Sequence, residues 1–467
     1  MPITIPQTGH AASIEVVTVI DSVATSPIAR SALRKTSLRL IPLIALGYGC
    51  SYMDRANVSF AALQMNQALH FSGAVYGFGA GIFFLSYAAC EVPSNLMLYR
   101  FGARRWLARI MFTWGLIAVC MLLVRTPLQF YIARFFLGMA EAGFFPGVIF
   151  YLMQWFPPEL RARAVSRFYI SLPLSGVLMG TIAGALLNLN GHAHLAGWQW
   201  LFLVEGIPPI LLSVAFLLLL PDSPAEAPWL TEPERDWIIS NVNHEGDHIH
   251  HPAEPIHRIL IDPRVWQLGI FGFLLSTSSY GYVLILPQLI QSSTHFSVTR
   301  IGFVTAGINL LGVPAMLFGA KLSDRSPHKR HQHVIPCCFL MALGLAACGL
   351  SNAPGIVISA LCCVSISFNA MQGPWLAIIP SLFRGRSAAA AIAAVNTIYI
   401  LGGFVGPNFM GFLKDLTGNY QRGLGALGIP MLLAAAIMLF LHRQAVRAAK
   451  PVLFPVTIDD ALDSPNL

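Results

Sequence analysis

Residues Ala74–Arg105 read AVYGFGAGIFFLSYAACEVPSNLMLYRFGARR. Apart from Glu91, the first twenty-five positions carry no acid and no Lys or Arg, and then Arg100, Arg104 and Arg105 follow within six residues. A hydrocarbon core about 30 Å thick needs about 20 apolar residues of helix to cross it. A long apolar run closed by a basic cluster therefore predicts a transmembrane helix with its basic end at a cytoplasmic surface.

The rest of the 467-residue chain repeats that pattern: 55% of it is hydrophobic and 11% is charged, against about 25% charged residues in soluble domains. Apolar runs predict twelve spans, at 38–62, 74–98, 106–124, 128–154, 164–189, 198–221, 266–290, 298–320, 333–351, 354–380, 386–410 and 423–441. The fold class is an all-α integral membrane protein in two six-helix halves. The halves are expected at 38–221 and 264–441, with a polar central loop at 222–263 and tails at 1–37 and 442–467. Two halves joined by one long loop is the layout of a duplicated transporter.

Orientation follows from the loop charges. Loops after spans two, four, eight and ten hold thirteen Lys and Arg, while the loops after spans one, three, five, seven, nine and eleven hold four, Arg125, Arg300, Lys414 and Arg422. The positive-inside rule then places both termini and the central loop in the cytoplasm of a cell whose inner (plasma) membrane holds the chain. The net charge of +8 reads as this topology signal, not as a nucleic-acid surface. The N-terminal tail lacks the order of a cleaved signal peptide, because its bases come late and a full-length span follows at once.

Several strings are more specific than composition requires. They are Tyr52-Met-Asp54-Arg55-Ala-Asn57, Glu91-Val-Pro-Ser-Asn95, Arg134-Phe-Phe-Leu-Gly138-Met-Ala-Glu141, Gly197-Trp-Gln-Trp-Leu-Phe-Leu-Val-Glu205 and Gly319-Ala-Lys-Leu-Ser-Asp324-Arg325. Together they resemble the major facilitator superfamily, and within it the anion:cation symporters, which include bacterial tartrate, phthalate, hydroxyphenylacetate and sugar-acid permeases. The resemblance implies a major facilitator fold working by alternating access. It associates Asp54 and Glu141 with proton coupling and Arg55 and Arg134 with the substrate carboxylate. Tyr52, Tyr87, Trp375 and Asn396 match positions that line the site. The first signature loop departs from the pattern, with Tyr99 where an acid is usual and an extra residue before Arg104.

The residues support such chemistry on their own terms. A charge at mid-membrane costs on the order of 2.5–3.5 kcal/mol or more, so it survives when paired or facing a wet cavity. The first half holds Asp54, Arg55, Glu91, Arg134, Glu141 and Glu205 within its spans, whereas the second half offers amides and hydroxyls such as Asn309, Gln372, Asn396 and Tyr399. Arg134 and Glu141 are seven residues apart, so they share one helix face about 10 Å apart along the axis. Two guanidiniums at similar depth suit a carboxylate, while Asp54 and Glu141 are candidates to hold a proton. The alternative is two structural ion pairs, Asp54–Arg55 and Arg134–Glu141. Glu91 and Glu205 are expected to brace helix ends. Arg104, Arg105, Arg161, Arg163, Asp324 and Arg325 are candidates for salt bridges closing a cytoplasmic gate, with solvated topology charge as the alternative.

No enzyme motif is present, and no metal or cofactor is expected, a proton serving as the coupling ion. The five His residues at 244, 248, 250, 251 and 257 fit no defined metal spacing, and the eight Cys read as small packing residues. The expected function is import of a small organic anion by proton symport, as a monomer whose partners are the anion, protons and the bilayer. An anion exchanger without protons, and a transporter-like sensor, are the rival readings.

Overall fold

A computed structural model of the chain describes residues 26–243, 261–326, 329–383 and 385–449. The central-loop His residues, and most of both tails, lie outside the described residues. Among those described, the regular structure is helical.

In the first half, α1 is Pro27–Ala68, α2 Gly73–Phe101 and α3 Ala103–Cys120; α4 (Pro127–Glu141) and α5 (Phe144–Met153) form one broken rod. α6 (Pro158–Tyr169) and α7 (Ser171–Leu187) make the next, and α8 is Gly197–Leu219. A short helix, α9 (Glu232–Asn243), lies in the central segment. The second half holds α10 (Pro263–Val283), α11 (Leu286–Thr294), α12 (Val298–Arg325), α13 (Arg330–Leu350), α14 (Pro354–Leu382), α15 (Gly385–Thr417) and α16 (Gln421–Ala449).

Ten rods are long and apolar enough to cross a membrane, and the pair α10–α11, bent by 47°, makes an eleventh. At 42 residues, α1 is ample for a twelfth; its basic first turns and the Asp54–Arg55 pair make it less apolar than the rest. The sequence reads the fourth and seventh spans as continuous, and both are broken. In the fourth, Gly143 takes φ +86°, a conformation that glycine adopts without penalty. In the seventh, Pro287 enters the first turn of α11, where its missing N–H interrupts the helical ladder.

The halves meet along two seams, α2 against α15 and α7 against α12. Glycines permit the approach: a methyl at Gly77 would strike the Pro407 carbonyl, and one at Gly180 would strike that of Gly302. All of this lies at the end of the bundle away from the termini. There Asp415, at the end of α15, accepts hydrogen bonds from the backbone N–H groups of Gly73 and Ala74, both 2.7 Å. One half thus caps a helix of the other, and the negative charge sits favourably at the N-terminus of α2. Tyr76 Oη donates to the Leu284 carbonyl, and Asn188 Nδ2 to Thr299 Oγ1. At the opposite end, which carries the termini, the halves part around a cavity.

The central segment is more ordered than its composition suggests, because α9 docks on α1. Glu234 accepts from Lys35 Nζ at 2.8 Å, Ser31 Oγ at 2.6 Å and the Thr231 N–H at 2.9 Å. Burial pushes its carboxyl up, but the bonds from Lys35, Ser31 and Thr231 outweigh that and bring it down to about 2 from an ordinary 4.5.

Two outcomes follow. Glu234→Gln should raise hydrogen exchange across 232–243. Because the docked carboxyl is depressed, its contribution is complete above about pH 4.5 and is lost as pH falls towards 2; wild-type protection, corrected for intrinsic exchange, should follow that window. Separately, Asp415→Asn should weaken the cap by about 1 kcal/mol, and spin labels at Asn190 and Asn419 should then report a larger population of long distances.

Candidate functional site

α1 crosses the first half with Tyr48, Ser51, Tyr52 and Arg55 on one side, at the three- and four-residue spacing of a helix face. Arg55 carries the site. Its Nε donates to Glu141 Oε1 at 2.8 Å, and its Nη2 lies 2.6 Å from the same oxygen. Ser51 Oγ donates to that oxygen as well, at 2.5 Å. Glu141 is fully buried and its Oε2 has no hydrogen-bond partner. The guanidinium stacks over Tyr87 on α2, 5.0 Å from the ring centre, leaving its side chain 17% exposed to the cavity.

Glu141 is the last residue of α4, and the break follows directly. Ala142 closes the helix by donating to the Gly138 carbonyl at 3.1 Å. A side chain on Gly143 would meet Ser94 of α2 at 2.4 Å or a little more, besides its positive φ. The turn that ends α4 therefore also sets where the carboxylate points.

The cavity, about 990 Å3, runs from this pair to the end bearing the termini. Tyr48, Tyr52, Tyr87, Tyr169, Tyr280 and Tyr399 give it a tyrosine-rich wall. Tyr52, Tyr87, Trp375 and Asn396, expected from the sequence, all line it, as do Arg55 and Gln372. Trp375 packs on Phe271, with centres 4.6 Å apart. At the mouth stand Met153, Arg161, Ser223, Ile239 and Val242.

The other charges are arranged differently from the sequence expectation. Arg134 is fully buried and does not line the cavity. It makes only long bonds to the Gly79 and Ala80 carbonyls, 3.4 and 3.5 Å, lies 4.8 Å from the Phe83 ring centre, and leaves Nη1 unpartnered. In this conformation Arg55 is the arginine that meets the cavity in its interior, and Arg161 stands at the mouth. The pairings Asp54–Arg55 and Arg134–Glu141 give way to Arg55–Glu141. Asp54 is buried, receives a 3.4 Å bond from Asn57 Nδ2, and has Oδ2 unpartnered. Glu91 is not a helix brace: it lines the cavity and accepts from Asn396 Nδ2 of the other half at 2.9 Å. Glu205 is not bonded to a helix end or an arginine among the described contacts: its carboxylate is buried, with the Asn57 side chain as its polar neighbour.

The gate candidates stand apart in this conformation. Arg104 pairs within its own half, with Asp222 at 3.2 Å. Arg161 donates to the Phe156 and Met153 carbonyls. Asp324, Arg325 and Arg105 are exposed, and the ion pairs among the described residues do not include them. The side chain of Arg163 lies outside the described residues. No group of three or more His, Cys, Asp or Glu that could hold a metal occurs among the described residues.

Ser51, Tyr48, Tyr169 and Tyr280 were not singled out in the sequence. Ser51 and Tyr48 could have been found as the residues four and seven before Arg55. Tyr280 ends the polar run Ser276-Thr-Ser-Ser-Tyr280 inside an apolar span.

Twelve helical rods in two halves around one central cavity define a polytopic membrane transporter. The Major Facilitator Superfamily model matches residues 44–407, and the chain belongs to that superfamily. A relative from Agrobacterium vitis named "Putative tartrate transporter" is 41% identical over 430 residues, 92% of this chain and 95% of its own. One from Acinetobacter baumannii named "Quinolone resistance transporter" is 38% identical over 424 residues, 90% of this chain and 96% of its own. Among solved structures, a bacterial homologue of the human lysosomal transporter Spinster, inward-facing and unoccupied, superposes with a TM-score of 0.73 at 16% identity, covering 88% of this chain and 98% of its own. At that identity the likeness speaks to the fold.

Gly143→Ala should disturb the site from behind. A left-handed conformation costs a non-glycine residue roughly 1–2 kcal/mol, and the added methyl must displace Ser94. Thermal unfolding in detergent should shift down, and ligand affinity should fall by more than stability alone explains, because Glu141 is re-aimed.

Proposed function

We propose that the protein imports a small organic carboxylate through the inner membrane by proton symport, with Arg55 as the anion-binding group and Glu141 as the proton-coupling group. The observation that carries this reading is the buried Arg55–Glu141 pair, open to the cavity on its guanidinium side. An incoming carboxylate competes with Glu141 for the same donors. Guanidinium binds carboxylates through two parallel N–H groups, so the ligand is well matched to take them.

Once Arg55 turns to the ligand, Glu141 is left in a buried site with Ser51 as its remaining donor. An unpaired carboxylate there is expensive, and a proton removes the charge. One anion bound thus favours one proton bound, which is a coupling free energy between two sites. Asp54 and Arg134 sit deeper and are assigned to balancing charge, Asp54 as a second proton holder and Arg134 as its counter-charge. The basic loops put the cavity mouth on the cytoplasmic side, so the conformation described is inward-facing. The return to an outward-facing state would bring Arg104, Arg105, Arg161, Arg163, Asp324 and Arg325 together as the inner gate.

The relatives' names support an organic anion without fixing it. Tartrate in one name and quinolone in another, at similar identity, leave the substrate to the site, and the interior of the cavity pairs the cation of Arg55 with many hydroxyls. Tyr52, Tyr87, Tyr399, Gln372 and Asn396 suit a hydroxylated acid, because each can donate or accept a hydrogen bond.

The test is uptake into proteoliposomes of labelled tartrate, gluconate and benzoate, with and without an inward proton gradient. Arg55→Ala and Arg55→Lys should abolish or severely reduce uptake, lysine losing the paired donors. Glu141→Gln should abolish gradient-driven accumulation while sparing exchange of internal for external anion. Transport that ignores the gradient for every acid carried would establish the exchanger, and binding without transport the sensor.

A further inference from the structure

We propose that the groove between the N-terminal stretch of α1 and α6 is a binding site for an anionic phospholipid, whose phosphodiester is held by Arg34 and by Arg167 in the last turn of α6. The groove encloses about 610 Å3 at the end of the bundle bearing the termini. It is lined by one face of each helix, Arg34, Ser37, Leu38 and Ile41 from α1 with Leu160 and Arg167 from α6.

Three observations point to a lipid. First, the cations are uncommitted: among the described residues neither Arg34 nor Arg167 has an ion-pair partner, and Arg167 Nη1 bonds to Ser37 Oγ at 3.2 Å. The acid presented by α9 is used elsewhere, since Glu234 is taken by Lys35, Ser31 and Thr231. Second, Arg34 and Arg167 approach the groove from two different helices, so one phosphate can bridge them through charge-assisted bonds. Third, the groove continues as apolar surface. Leu38 is 64% exposed beside it, while Ile41 and Leu160 are buried in its floor. The spacing 34, 37, 38, 41 keeps these on one face of α1, polar first and apolar towards the middle of the span. A free phosphate would use the cations and leave that floor bare, whereas a diacyl lipid uses both, in the manner of basic pockets at cytoplasmic helix ends.

The experiment is native mass spectrometry and thermal unfolding of the full chain in detergent, titrated with dioleoyl phosphatidylglycerol, dioleoyl phosphatidylcholine, glycerol 3-phosphate and inorganic phosphate. Phosphatidylglycerol should bind and stabilise, phosphatidylcholine should do so far less, and neither headgroup analogue should compete at equal concentration. The double variant Arg34→Gln/Arg167→Gln should bind phosphatidylglycerol about 30-fold more weakly. Arg39→Gln, whose guanidinium lies over Trp229 at 5.2 Å, should bind as wild type. Should the double variant fail to fold, the wild type still decides: added salt must weaken phosphatidylglycerol binding. Equal binding of the two lipids, full competition by inorganic phosphate, salt-independent binding or an unaffected double variant would each overturn the site.

Discussion

The molecule depends on one ion pair placed where charge is costly. Removing one partner from a buried, hydrogen-bonded pair costs about 3–5 kcal/mol, so Arg55 and Glu141 hold each other at mid-span. Everything nearby serves that contact. Ser51, one turn before Arg55, satisfies the carboxylate further; Tyr87 supplies an aromatic face under the guanidinium; and α4 ends at Glu141 because Gly143 lets the chain turn there. Since Arg55 is the partner that reaches the cavity, whatever binds there must deal with Glu141 as well. The cavity and a buried ionisable group are thus joined by a single set of hydrogen bonds.

The charge distribution between the halves deepens the consequence. The charged groups in the middle of the described spans belong to the first half, and the second answers with Asn396, Gln372, Trp375 and tyrosines. Neutral hydrogen-bonding groups can close over a ligand without bringing a second set of charges out of water, whose desolvation the contact would have to offset. The bond from Asn396 to Glu91 is the sole polar link between the halves described along the cavity wall, and it is modest enough to exchange with a ligand hydroxyl.

Much of this was legible in the sequence. Span positions, the two halves and the lopsided charge follow from apolar length and the rarity of intramembrane charge, both one-dimensional signals. Arg55, Tyr52, Tyr87, Trp375 and Asn396 were singled out through motif resemblance, and all five line the cavity. The partner of each charge was not legible. Arg134 and Glu141 share a helix face, yet which arginine meets Glu141 depends on how α1 crosses α4, and Arg55 arrives with Ser51 from that crossing. Spacing likewise cannot say that Arg134 points behind the cavity towards Phe83. The break after Glu141 was hidden because Gly143 sits in an apolar run that reads as one span, and α9 because a twelve-residue segment of mixed composition gains its order from Glu234 and Lys35, far apart in the chain.

The closed seam at the far end shows how such a bundle could keep two conformations close in energy. A cycle of the kind proposed needs states separated by a few kcal/mol, which a large apolar interface would not allow. Beside the ring contacts of Phe78 with Phe404 and Phe84 with Tyr280, the described contacts include a different kind: glycine backbones lying against carbonyls at Gly77 and Gly180, a carboxylate cap from Asp415 and single bonds from Tyr76 and Asn188. Each polar contact contributes roughly 1 kcal/mol net, because water replaces it when it opens. Lipid tails are as apolar as the helix surfaces, so the glycine faces gain mainly packing on closing. The seam is therefore held in part by several small, replaceable terms, of the size that the proposed exchange of Glu141 for a ligand carboxylate at Arg55 would have to supply.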